Sequence, residues 1–247
     1  MDKFTIALAG ERISVSPLHA YAKEYCKDYL VEGDGEISIV ITQENIEYER
    51  AASEREDRLE GRPIRRFPDA YLETLAIYRQ IAEKLLAHDT LLFHGSVVSV
   101  DGQGYLFTAL SGTGKSTHTR LWRQRFGDRC FMVNDDKPLL RITQDGVMAC
   151  GTPWDGKHRL STNTMVPLKG LVILERGEQN EIVAVSAGEA FPMLLQQSHR
   201  PHDPVDLSRS LYLLEQITKK TGLYRLKCNM DPEAAQVAYD GMQSEGN

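Results

Sequence analysis

Cysteine is scarce and unpatterned in this chain. Only Cys26, Cys130, Cys150 and Cys228 occur among 247 residues, and no two form a CxxC pair. That excludes a thiolate zinc ribbon or a dithiol redox motif, and reduced, mostly buried thiols are expected. Long apolar runs are missing too. Nowhere does the sequence approach the ~20 apolar residues that a membrane-spanning helix requires. The opening, MDKFTIALAGERISVSP, carries charges where a secretory signal has an apolar core, so a cytoplasmic protein with no membrane partner is expected. Positive charge is not in excess. Lys and Arg number 29 against 35 Asp and Glu, and the net charge of −6 disfavours nucleic acid as a partner. Internal repeats and low-complexity linkers are also absent.

What is present is an ordinary globular composition, 41% hydrophobic and 26% charged, at a length suited to one large domain with a small appendage. FTIALAG, RISVSP and EISIVIT read as strands and LHAYAKEYCKDYL as a helix. Residues 1–66 therefore read as a small N-terminal α+β region. The mixed-charge stretch ENIEYERAASEREDRLEGRPIRR reads as a solvated connection or exposed hairpin. The alternative is a substrate-facing segment using Arg62, Arg65 and Arg66. Pro68 opens a strong helix with Leu72, Leu75, Ala76, Ile81, Ala82, Leu85 and Leu86 on one stripe. Residues 67–247 then interleave strands (GYLFTAL, CFMVND, LKGLVILER, GLYRLKCN) with helices, the pattern of an α/β domain whose sheet is covered by helices.

The densest chemistry lies in ALSGTGKS, Ala109 to Ser116, between a strand and a helix. It follows the phosphate-loop pattern G-x-x-x-x-G-K-[ST], with Ala109 in the first glycine position. Gly112 and Gly114 permit the backbone torsions of a tight loop whose N–H groups face an anion. Ser111, Gly112, Thr113, Gly114, Lys115, Ser116 and Thr117 are the candidate nucleotide-binding residues. Lys115 is expected at the β- and γ-phosphates, Ser116 at Mg²⁺, and the following helix adds its positive end. About twenty residues further on, an apolar strand ends in Asp135 and Asp136. One carboxylate suits Mg²⁺ and the other the proton of an attacking hydroxyl.

The segments HGSVVSVDGQGYLFTALSGTGKSTHT and MVNDDKP together resemble the catalytic domain of HPr kinase/phosphorylase. They also resemble the phosphate-loop region of ATP-dependent phosphoenolpyruvate carboxykinase. The resemblance covers Phe93 to Leu140 and extends to about Arg176, leaving residues 1–66 and the last fifty or so outside it. It implies a P-loop α/β kinase that uses ATP and Mg²⁺ to phosphorylate a hydroxyl acceptor, such as Ser of a peptide or protein. Acceptors on small metabolites, or nucleotide sensing without catalysis, are the alternatives. It further implies Asp135 as the base, Asp136 as a metal ligand and His94 near the transferring phosphate. Thr117 stands where HPr kinase carries an acidic residue, and its glycine-rich signature segment is absent. Relatives of HPr kinase assemble as hexamers, so a homo-oligomer is compatible with the resemblance, as is a role in peptide tailoring.

Two further polar clusters stand out. GTPWDGKHRLSTN packs Thr152, Trp154, Asp155, Lys157, His158 and Arg159 between turn residues. Arg159, or Lys157, is the candidate for stabilising charge on the moving phosphoryl group. QQSHRPHDP carries Ser198, His199, Arg200 and His202, and its prolines favour a structured loop over a metal site.

Overall fold

The structure, a computed structural model, describes residues 2–110 and 112–243. It divides between Lys84 and Leu85 into two compact units. The helix after Pro68 thus falls almost wholly in the first unit, whereas the sequence places it at the start of the second, residues 67–247.

The first unit begins with β1 (Phe4–Leu8), β2 (Glu11–Ser16), a short α1 (Tyr21–Tyr25), β3 (Leu30–Val31) and β4 (Ile37–Val40). These form a four-stranded sheet in the order β3-β1-β2-β4. The expected helix over LHAYAKEYCKDYL is only one turn plus a 3₁₀ turn over Lys27–Tyr29. Most of the mixed-charge stretch is no loop: it forms α2 (Gln43–Leu59), and only residues 60–66 connect it onward. Thr42 and Asn45 close a capping box at its start, and Ile46 and Asp57 are buried. Asp57 accepts from the backbone and guanidinium of Arg65, both at 2.8 Å, and lies 3.4 Å from Arg62. The buried Asp57 thus uses Arg65 and Arg62 to fold the chain after α2 back onto it, while most other charges of the stretch stay solvated as expected. α3 (Asp69–Leu85) follows, with Leu72, Ala76, Ile81, Ala82 and Leu85 buried and Leu75 half-buried.

The second unit comprises β5 (Thr90–Leu92), β6 (Ser96–Val100), β7 (Gln103–Thr108), α4 (Lys115–Phe126), β8 (Cys130–Asn134), β9 (Leu139–Ile142) and β10 (Val147–Cys150). After these come β11 (Met165–Arg176), β12 (Glu181–Ala184), α5 (Ala187–Gln197), α6 (Pro204–Lys220), β13 (Gly222–Cys228) and α7 (Glu233–Gln243). The nine strands form one mixed sheet, with the path β5-β9-β10-β11-β7-β6-β8 and with β13 and β12 branching from β11. β11 makes the branch possible by its length. Its first residues pair antiparallel with β10, while Gly170–Arg176 pair parallel with β13 and Leu168–Ile173 parallel with β7.

Both faces of this sheet are covered, so its strands read as continuous apolar runs rather than alternating ones. Val97, Leu106, Leu171 and Ile173 join Ala190 and Leu194 of α5 and Leu213, Leu214 and Ile217 of α6. The intervening residues Val98, Phe107, Val172 and Leu174 join Leu121 and Trp122 of α4 and Ala234, Ala235 and Ala238 of α7. The result is a curled mixed sheet between helical layers. No helix among the described residues is long and apolar enough to cross a membrane.

Trp122 is fully buried and touches the rings of Tyr105, Phe107, Phe126 and Tyr239. This cluster fixes α4 to the sheet, and with it the loop that precedes α4. Trp122 Nε1 donates to His118 Nε2 at 2.9 Å, which leaves the imidazole proton on Nδ1. Burial depresses the His118 pKa from 6.5 to about 4. The unfolded chain therefore takes up a proton between pH 6.5 and about 4 that the fold refuses, so stability is full above 6.5 and declines below it. In metal-free buffer, denaturant titrations should show a loss of about 3 kcal/mol across that window from this ring. His118→Gln keeps an acceptor for Trp122 and should flatten that decline.

Candidate functional site

Fully buried Ala109 leads the chain out of β7, and Gly114 delivers it into α4. Ser111 lies outside the described residues. Gly112 (φ 77°) and Gly114 (φ 123°) occupy backbone conformations that a Cβ would strain, which accounts for glycine at both positions. Thr113 N–H donates to Leu110 O at 3.2 Å, and His118 N–H makes an early helical bond to Gly114 O at 2.9 Å. The first amides of α4 have no helical carbonyl to bond, and the helix dipole adds to their positive end. Arg176, at the end of β11, donates to Gly112 O at 2.7 Å and pins the loop from the opposite side. Ser116 is exposed, while Thr113 and Thr117 are half-buried.

Lys115 folds back beneath this loop, its Nζ 3.5 Å from Ala109 O. Burial lowers its pKa, and the nearby Asp136 and Asp135 carboxylates partly counter that shift. The acids follow β8, where fully buried Asn134 organises the turn. Asn134 Oδ1 accepts from the backbone N–H of Asp136 (2.9 Å) and of Lys137 (2.7 Å), and its amide donates to Thr152. Two bonds from the β6 end complete the frame: Ser96 Oγ donates to Asp135 O, and Gly95 N–H to Asp136 O, both at 3.0 Å. A Cβ on Gly95 would sit 3.0 Å from both Phe107 O and Leu106 Cδ2, a tight approach that glycine avoids where β6 lies against β7.

The environment separates the two acids. Asp135 is 7% exposed, and its Oδ1 has no hydrogen-bond partner among the described residues. Burial raises its pKa more than the Ser96 hydroxyl and the His158 charge lower it. Burial also acts on Asp136, but the His94 hydrogen bond and the charges of Lys137, His94 and Lys115 outweigh it and bring its pKa down. His94 Nε2 lies 3.4 Å from Asp136 Oδ1. One acid is thus biased toward holding a proton and its neighbour toward staying ionised.

The GTPWDGKHRLSTN segment closes over this pair: a Cβ on Gly156 would approach Asp136 Cβ at 3.1 Å. Within it, Arg159 (φ 52°) donates to Pro153 O at 2.8 Å and lies 3.0 Å from Asp155 Oδ1. Asp155, 3% exposed, also accepts from Ser161 at 2.8 Å. Arg159 thus bonds within its own loop, and His158 of the same loop lies close enough to act on Asp135.

His94, Lys115, Asp135 and Asp136 meet at one place. Asn134 and Arg176 frame the same place and carried no separate signal in the sequence, since their bonds are made only in the fold. Gly95 and His158 also lie there, in stretches that the sequence had already singled out. The QQSHRPHDP loop pairs with the strand leading to His94: His94 N–H donates to Gln197 O at 2.7 Å, and His199 N–H to Leu92 O at 2.9 Å. It is a structured loop, and no cluster of three or more His, Cys, Asp or Glu suited to a metal occurs among the described residues.

Fold and site define an α/β protein in which a glycine-bearing strand–loop–helix turn and a pair of acids lie on either side of one half-buried lysine. The chain belongs to the family described as SynChlorMet cassette protein ScmC, whose model matches residues 69–221. Among solved structures, the Hpr(Ser) kinase/phosphatase from Coxiella burnetii is distantly similar, at 12% identity and a TM-score of 0.35. The match covers 60% of this chain and 94% of that one. No curated protein matches the sequence.

Proposed function

We propose that this protein is an ATP- and Mg²⁺-dependent kinase that transfers the γ-phosphate to a hydroxyl acceptor, such as Ser of a peptide or protein. The observation that carries the reading is the meeting of Lys115 and His94 with two acids of opposite pKa bias beside the glycine loop. A nucleotide-binding turn alone has no need of a half-protected base.

The loop amides and Lys115 would hold the β- and γ-phosphates. Asp135 would accept the acceptor's proton as its oxygen bonds to the γ-phosphorus. The bond from that phosphorus to the β–γ bridging oxygen breaks, and ADP leaves with the electron pair. Mg²⁺ asks for one or two carboxylates and completes its shell with phosphate oxygens and water, a requirement that the Ser116 hydroxyl and the ionised Asp136 fit. When bound, that ion supplies charge neutralisation at the phosphates. His94, beside Asp136, would orient that carboxylate and face the transferred group.

Incubation with γ-labelled ATP and Mg²⁺, with a peptide pool or a metabolite pool, tests this reading. Label on Ser of a peptide supports it, and label on a metabolite moves the acceptor to small molecules. Tight ATP binding without transfer or hydrolysis leaves a nucleotide sensor and ends the kinase reading. Arg176→Ala, which frees Gly112 O, should raise the KM for ATP about fivefold and leave kcat near its starting value.

A further inference from the structure

The strand order gives the glycine loop two distinct sides. β7, which ends in the loop, lies between β6 and β11. Beyond β6 comes β8 with the acids. Beyond β11 comes β13, and there the C-terminal ends of parallel β11 and β13 open into a cleft of about 490 Å³. Its walls are residues 112–114 of the loop, Leu174, Arg176, His118, Cys228, Asn229 and Met230. We propose that this cleft receives the nucleoside end, base and ribose, of the triphosphate. The polyphosphate then crosses the loop from the β13 side to the acids on the β8 side. The inference rests on the kinase reading only for the triphosphate that ties the two ends together.

Several independent features fit a flat heterocycle on a sugar. The volume lies within the ~300–1,000 Å³ of small-molecule sites, and the crevice outside the carboxyl ends of parallel strands is where open α/β sheets bind ligands. Leu174, Cys228 and Met230 supply apolar wall. Met230 is 78% exposed, a large apolar side chain in water that a ring laid against it would cover. The wall that carries it is rigid. Asn229 donates to Glu178 O (3.1 Å) and Asp231 Oδ2 (2.8 Å), accepts from Asp231 N–H (3.0 Å), and its own N–H bonds Asn180 Oδ1 (3.1 Å). Arg176 spends one N–H on Gly112 O, and its planar guanidinium can also stack on a base. His118 is 2% exposed; with Nε2 taken by Trp122, its Nδ1–H has no acceptor among the described residues. A buried donor left unpaired costs stability, and a ligand acceptor in this cleft could satisfy it.

Binding of ATP and of inorganic tripolyphosphate, each with Mg²⁺, separates the two ends of the ligand. The native chain should bind ATP at least about tenfold more tightly than tripolyphosphate. Met230→Ala, at an exposed position with little bearing on folding, should weaken ATP about five- to tenfold and leave tripolyphosphate unchanged. Equal affinities for the two ligands overturn the inference and leave the kinase reading standing. So does a Met230→Ala chain that keeps its full preference for ATP or weakens both ligands alike. Failure to bind either ligand removes both.

Discussion

Asp135→Asn is expected to bind ATP within roughly threefold of the native affinity and to lose about 10²–10⁴-fold in kcat, the range set by removing a positioned general base. The substitution keeps the side chain's shape, so the 7% exposed pocket after β8 is neither emptied nor overfilled. What goes is the ability to take a proton. In the proposed mechanism that task falls to Asp135 rather than Asp136, since burial lifts the pKa of the first while His94 and the neighbouring cations hold the second down. The same asymmetry predicts a change in stability. An acid whose pKa is raised by folding binds its proton more tightly in the native state. Its ionised form therefore opposes folding above the unfolded pKa of 3.8. At pH 7 the Asn variant should melt at a higher temperature than the native chain while being far less active. Rapid-quench measurement of single turnovers, alongside a thermal melt, checks both. Unchanged turnover would falsify the assignment of Asp135 as base. Asp136→Asn is expected to differ in kind, raising the Mg²⁺ concentration needed for half-maximal rate.

Parts of this site were legible because their chemistry is local in sequence. The turn from β7 into α4 writes itself in two glycines, a lysine and the apolar residues on either side, and an apolar strand closed by two acids is nearly as plain. The scaffold around them was not legible. Arg176 reaches Gly112 across 64 positions. Asn134 looks like any turn residue until its side chain is seen to bond two backbone amides and Thr152. α2 was misread for the opposite reason. Its charges dominate the local pattern, whereas its helix depends on the Thr42–Asn45 capping box and on a buried Asp57 that gathers arginines from beyond the helix end.

Lys115→Met should cost about 10²–10³-fold in kcat/KM, comparable to removing a preorganised charge that contacts the transferring group. Unlike the Asn variant at 135, it should also weaken ATP and tripolyphosphate together, since in the proposed mechanism the ammonium serves the phosphates rather than the base. Its chain is nearly isosteric, and its Nζ contact to the loop is a long 3.5 Å bond to Ala109 O, so the loop itself should survive. The electrostatic consequence is specific. Burial already strains the Lys115 charge, and Asp136 and Asp135 offset that strain. Removing the cation relieves one buried charge but withdraws a partner from Asp136, whose pKa should rise toward or past the ordinary carboxylate value. NMR titration of the Asp136 carboxyl in the two proteins reads that shift directly, without any turnover. Lys115→Arg sharpens the point. It restores charge, but as a planar fork on a longer stem, where a compact ammonium was held between a loop carbonyl and two acids. If Arg recovered the native rate, positive charge near the loop would suffice and the placement of Lys115 would be irrelevant. The geometry predicts instead that Arg returns the Asp136 shift and part of the phosphate affinity while the rate stays low.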